Sequence, residues 1–228
     1  MRINKTKRIK ICGLTCKEDI EAVNLWKPDY AGFVFAPGKR QVNAEQAMEL
    51  SQLIHGGIPV VGVFVHNPIP EIVSLVDKKI ITMIQLHGDE DRTYIENLRQ
   101  RLPSYIPVIK AIRVRKKEDI LQSETLPVDY LLFDSYVKDV KGGTGISFDW
   151  DFIPLVQKPW FLAGGINQAN LLKAMKTDAF CLDVSSSVET NGKKDSEKIK
   201  EIIRRIRSES ICQKEDLDNT EDNLSPKP

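Results

Sequence analysis

Ile58-Pro59-Val60-Val61-Gly62-Val63-Phe64-Val65 is the longest apolar run in the chain, and an amphipathic stretch, 69–77, separates it from a second short run, Met83-Ile84-Gln85-Leu86. The first run is rich in β-branched residues and far shorter than the roughly 18 residues that a membrane helix needs. Unbroken rather than alternating apolarity fits a strand covered on both faces. Strand, helix and strand in that order make the unit of a parallel sheet.

The same unit repeats in both directions. Runs at 9–12, 30–35, 59–65, 83–86, 108–112, 130–133, 160–163 and 180–183 read as strands. Helices are expected at 18–26, 43–54, 69–77, 91–102, 116–122, 167–175 and 196–207, several of them behind an Asn or Ser cap. Eight strands with helices between them predict an α/β fold of the (βα)8 TIM-barrel type, which typically takes about 250 residues. The competing architecture is an open doubly wound sheet. Its dinucleotide fingerprint is missing after the first strand, where Gly13-Leu14-Thr15 stands.

With 228 residues, 41% of them hydrophobic, the chain can form one large domain with a core of its own. Its 33 basic and 32 acidic residues leave a net charge of +1, which argues against nucleic-acid binding by overall charge. Cys12 and Cys16 are wrongly spaced for a zinc ribbon, and His55, His66 and His87 form no ligand cluster, so no metal site is expected. A basic N-terminus without an apolar stretch of secretory length points to a reducing cytoplasm, with free thiols. The barrel is expected over 1–208. The remainder, 209–228, carries six acidic and two basic residues with almost no aliphatics, and is expected to be a disordered tail.

In a barrel, functional groups gather at the C-terminal ends of the strands. Cys12, Arg40, His87, Asp134 and Asp183 fall there. So do three short loops, Gly142-Gly143-Thr144-Gly145, Gly164-Gly165 and Ser185-Ser186-Ser187. Glycines let backbone N–H groups converge on an anion, and barrels commonly bind phosphate behind strands seven and eight. The same loops also read as ordinary tight turns. Asp134 fits a general acid or a loop-bracing carboxylate. Cys12 is a base or inert core filler; Lys10, two residues earlier and on the same side of the strand, is the cation that a thiolate would need. Arg40 can clamp a carboxylate or lie solvated in its loop. His87 and Asp183 can bind substrate or brace strand ends.

Lys10-Ile11-Cys12-Gly13, Gly32-Phe33-Val34-Phe35, Val61-Gly62-Val63-Phe64, Gln85-Leu86-His87-Gly88, Gly142-Gly143-Thr144-Gly145, Phe148-Asp149-Trp150, Ala163-Gly164-Gly165-Ile166 and Leu182-Asp183-Val184-Ser185-Ser186 together resemble, in order and spacing, the phosphoribosylanthranilate isomerases of tryptophan biosynthesis. The resemblance implies a cofactor-free Amadori rearrangement of a small phosphosugar. Cys12 would be the general base, Asp134 the general acid, and Arg40 the holder of the substrate carboxylate. His87 and Asp183 would lie near the ribose or amine, and the phosphate would rest around Gly143, Gly145, Gly164, Gly165, Ser185 and Ser186. Ser187 stands where the family pattern has glycine. Two other readings are a metal-dependent phosphosugar epimerase, which would want more histidines, and a non-catalytic phosphate-binding barrel, which would need neither Cys12 nor Asp134. A short stand-alone barrel is expected to be a monomer, with no nucleic-acid or membrane partner.

Overall fold

The computed structural model describes residues 7–134, 150 and 153–221. Eight parallel strands close a barrel in chain order. They are β1 (Arg8–Cys12), β2 (Tyr30–Val34), β3 (Val60–Phe64), β4 (Met83–Leu86), β5 (Val108–Arg113), β6 (Tyr130–Asp134), β7 (Trp160–Ala163) and β8 (Cys181–Val184), the last pairing back onto β1. All eight lie within two residues of their expected positions. The expected (βα)8 barrel is the fold of this chain. The described helices are α1 (Lys17–Trp26), α2 (Ala44–Gln52), α3 (Ile69–Asp77), α4 (Arg92–Arg99), α5 (Lys117–Ser123), α6 (Leu171–Lys176) and α7 (Ser196–Glu221). A two-residue turn joins a small antiparallel pair, β9 (Glu189–Thr190) and β10 (Lys193–Lys194).

Local chemistry explains the helix ends. The Asn43 and Asp91 side chains cap α2 and α4, accepting from the N–H groups of Gln46 and Tyr94 at 2.8 Å each. At α7 the expected Ser196 cap is replaced by Asp195. Its Oδ1 accepts from Glu197 N and Lys198 N, while the Ser196 hydroxyl accepts from the Trp26 indole at 2.9 Å. α6 begins later than expected because Asn167 closes a local turn with Ala169 and Asn170. The α7 backbone stays helical past Ser208 as far as Glu221, beyond the boundary expected for the barrel.

Two apolar layers hold the barrel. Outward-facing strand residues such as Ile11, Phe33, Phe64, Leu131 and Leu162 pack with the helices in the larger cluster. Alternate positions fill the inside with Tyr30, Val61, Met83, Ile109, Leu132 and Phe161. Tyr30 and Tyr130 rings lie 5.5 and 5.6 Å from Phe161, so the interior is plugged by aromatic contacts. This plug floors a mouth whose walls are the strand C-termini. Among the described residues no helix is long and apolar enough to cross a membrane.

Candidate active site

Period-two alternation sends Lys10 and Cys12 of β1, Gln85 of β4, Asp134 of β6 and Asp183 of β8 inward. His87 follows two residues after Gln85. Lys10 is fully buried, and its ammonium donates to Asp183 Oδ2 and to Gln85 Oε1, both at 2.8 Å. Burial alone would lower this lysine, but the Asp183 carboxylate and Cys12 outweigh that and hold it above its ordinary value. Burial pushes the Cys12 thiol up, and Lys10 and Lys194 pull it part of the way back. Gly32 makes this approach feasible, because a Cβ there would come within 3.0 Å of Cys12 Sγ and 3.2 Å of Lys10 Cε.

The lysine also orients its neighbours. An ammonium only donates, so Gln85 turns its carbonyl oxygen to Lys10 and its amide nitrogen to His87 Nδ1, 2.8 Å away. That ring nitrogen accepts, which puts the imidazole proton on Nε2, 3.3 Å from Asp134 Oδ2. Asp183 Oδ1 is buried with no hydrogen-bond partner among the described residues. A buried carboxylate oxygen left bare is costly.

Arg40 sits beyond β2, where Val42 N returns to Val34 O at 2.9 Å. It is not solvated alone. Its Nε and Nη2 donate to the two oxygens of Glu189 at 2.6 and 2.8 Å. Lys194, beside Glu189 across the β9–β10 pair, donates to the same carboxylate at 2.6 Å and to Ser185 O at 3.1 Å. The Ser185 hydroxyl donates to Cys12 O at 2.9 Å, so it ties β8 to β1 rather than standing open to an anion. Gly164 and Gly165 both take positive φ, and Ser186 opens a short 3-10 turn, Ser186–Val188. The Ser187 hydroxyl is buried without a partner among the described residues. Gly143 and Gly145 lie outside the described residues.

Cys12, His87, Asp134 and Asp183 thus converge through Lys10 and Gln85, and Arg40 flanks them. Glu189 and Lys194 were not foreseen. Their signal was Asn191-Gly192, which sits at φ +53° and +79° in the two-residue turn. Asn-Gly is a strong hairpin signature, and the turn sets Glu189 opposite Lys194.

Residues 9–205 match the family model described as N-(5'-phosphoribosyl)anthranilate (PRA) isomerase. The chain belongs to this family. An N-(5'-phosphoribosyl)anthranilate isomerase of Endomicrobium trichonymphae is 46% identical over 202 residues, covering 88% of this chain and 98% of its own. The phosphoribosylanthranilate isomerase structure from Thermotoga maritima superposes with a TM-score of 0.75 at 32% identity, covering 89% of this chain and 99% of that one. A phosphoribosylanthranilate isomerase in complex with reduced 1-(o-carboxyphenylamino)-1-deoxyribulose 5-phosphate superposes with a TM-score of 0.73 at 30% identity, with coverage of 89% and 99%. The activity is that of the family, an intramolecular oxidoreductase step of tryptophan biosynthesis.

Proposed function

We propose that the chain converts N-(5-phosphoribosyl)anthranilate into 1-(2-carboxyphenylamino)-1-deoxyribulose 5-phosphate without a cofactor, with Asp134 as general acid and Cys12 as general base. The observation that carries this reading is the Lys10 ammonium, shared by Asp183, Gln85 and Cys12 inside the mouth. It supplies the cation a thiolate needs, and through Gln85 and His87 it reaches the acid on the other wall.

Asp134 gives its proton to the ring oxygen, and the bond from that oxygen to the anomeric carbon breaks as the amine lone pair forms an iminium. Cys12 as thiolate removes the proton from the adjacent sugar carbon, and those electrons neutralise the iminium to give an enolamine. Protonation at the former anomeric carbon, with loss of the proton on the enol hydroxyl, leaves the ketone, so the two protons taken up, at the ring oxygen and at that carbon, balance the two given up, from the adjacent carbon and its hydroxyl. The iminium makes the abstracted proton acidic, and its charge joins Lys10 in favouring the thiolate. Asp183 Oδ1 accepts from the amine or a ribose hydroxyl. Arg40 takes the anthranilate carboxylate. The backbone of Gly164, Gly165, Ser185 and Ser186, with Gly143 and Gly145, cradles the phosphate.

The acting unit is the barrel, 1–208, a monomer of the reducing cytoplasm that needs no nucleic acid, with 209–228 as an acidic extension. Near-neutral charge and the free thiols Cys12, Cys16 and Cys181 support this. A coupled fluorescence assay that generates the labile substrate from anthranilate and phosphoribosyl pyrophosphate tests the chemistry. Cys12→Ser and Asp134→Asn should each bind the reduced product analogue normally yet lose at least about a hundredfold in turnover. Near-normal turnover in either variant removes that residue from its role.

A further inference from the structure

Glu189 occupies one edge of a guanidinium that has two. Nε and Nη2 form the side-on fork, and both are taken by Glu189. Of the donors left over, two on Nη1 and one on Nη2, one from each nitrogen form the end-on fork in the same plane. The Arg40 stem is fixed as well. It crosses Gly13 so closely that a Cβ there would lie 2.4 Å from Arg40 Cδ, and Gly13 already holds φ +81°. Glu189 is itself anchored from behind by Lys194, whose side chain is only 1% exposed. Lys194 is tied in turn to Ser185, and Ser185 to the Cys12 carbonyl. Two cations and one carboxylate leave this cluster a single positive charge, matched to one incoming carboxylate.

We infer that Glu189, braced by Lys194, is a positioning residue that presents the end-on fork of Arg40 and so makes the site select a substrate carrying a carboxylate on its aromatic ring. This rests on the assignment of Arg40 to the substrate carboxylate. A freely rotating arginine would offer either fork and pay rotamer entropy on binding. With the side-on fork occupied, a second carboxylate must approach in plane from one direction, in fixed register with the β1 end that carries Cys12. The arrangement also distinguishes positioning from competition. If Glu189 merely occupied the place of the substrate, its removal would tighten binding.

The test measures calorimetric binding of two ligands, reduced 1-(2-carboxyphenylamino)-1-deoxyribulose 5-phosphate and its anilino counterpart without the carboxyl group. Wild type should prefer the carboxylated ligand. Glu189→Gln should weaken that ligand by roughly ten- to a hundredfold, the range for one charge-assisted hydrogen-bonding arrangement, and leave the anilino ligand unchanged. In turnover the loss should appear in KM rather than kcat. Glu189→Asp, which keeps the charge on a shorter arm, should fall between the two and serves if the Gln variant does not fold. Equal weakening of both ligands, unchanged binding of both, or tighter binding of the carboxylated one overturns the proposal. A wild type that does not distinguish the two ligands overturns the Arg40 assignment itself, and the inference with it.

Discussion

Two buried lysine–carboxylate pairs lie on opposite sides of the same barrel wall. Lys10 and Asp183 meet at 2.8 Å inside it; Lys110 and Glu90 meet at 3.0 Å outside it, beneath the loop after β4. They are equally dry, with side-chain exposures of 0 and 7% against 5 and 0%. The difference is in their valences. Glu90 uses one oxygen for Lys110 and the other for the His66 N–H, and Lys110 also holds the Gly88 carbonyl. Asp183 keeps one oxygen bare among the described residues, and Lys10 also faces a thiol. Each pair bears a desolvation penalty of several kcal/mol per ion. The closed pair recovers it within the protein and fixes a loop. The open pair leaves part of it to be recovered from a ligand.

The sharpest way to break this contrast is to remove each lysine. Lys10→Met and Lys110→Met should both cost about 3–5 kcal/mol in urea unfolding, because each strands a buried carboxylate. Turnover of the folded fraction should separate them. Lys10→Met should lose at least about a hundredfold, the scale for removing one preorganised electrostatic group. Lys110→Met should lose less than about tenfold, since it acts on His87 only through the Gly88 backbone. Equal losses of turnover would mean that the outer pair is catalytic too.

A smaller effect sharpens what the inner lysine does. Burial outweighs Lys10 in the ligand-free site, so the Cys12 thiol ionises above its ordinary value of 9.0. Only the thiolate abstracts a proton, so kcat/KM should climb with pH above neutrality, approaching roughly tenfold per pH unit. Lys194→Met removes a second cation that lowers Cys12 and should displace that limb further toward alkaline pH. A profile that is flat from pH 7 to pH 9 would remove the thiolate from the rate-limiting step.

The contrast between the pairs also marks where reading the sequence stopped. Strands were legible because burial on both faces writes an unbroken apolar run, as in Val60–Phe64 and Trp160–Ala163. The position of Cys12, Asp134 and Asp183 was legible because a polar residue at the C-terminal end of such a run stands at the rim of the mouth. Lys10 followed from alternation with Cys12. Helix starts were less secure. Ser196 and Asn167 are good capping residues by type, yet Asp195 and a local turn took those roles, because neighbouring side chains compete for the same N–H groups. Glu90 and Lys110 stand 20 residues apart, and Arg40 and Glu189 stand 149 apart. Such charge pairs carry no local period: pairing of β4 with β5 brings the first together, and closure of β8 onto β1 the second.

The smallest expected effect concerns the outer pair at acid pH. Burial pushes the Glu90 carboxyl upward, but the His66 N–H and the Lys110 ammonium outweigh it, and the carboxyl lies below its ordinary value of 4.5. A carboxyl held lower in the folded state adds stability that is fully present above the unfolded value and is lost as pH falls through the folded one. Glu90→Gln lacks that contribution at every pH. The difference in unfolding free energy between wild type and Glu90→Gln should therefore stay constant from pH 7 down to about pH 5 and close only below it. Lys10 has the opposite sign. It is held above its ordinary value of 10.5, so its contribution is intact below that pH and is lost only on the alkaline side. The gap between wild type and Lys10→Met should thus stay open up to about pH 10. Urea unfolding of the three proteins across this range checks both limbs. A Glu90→Gln gap that closes already at neutral pH, or persists unchanged at pH 3, would show that the outer carboxylate is not held ionised by its partners, and the closed pair would then have to owe its place to packing rather than charge.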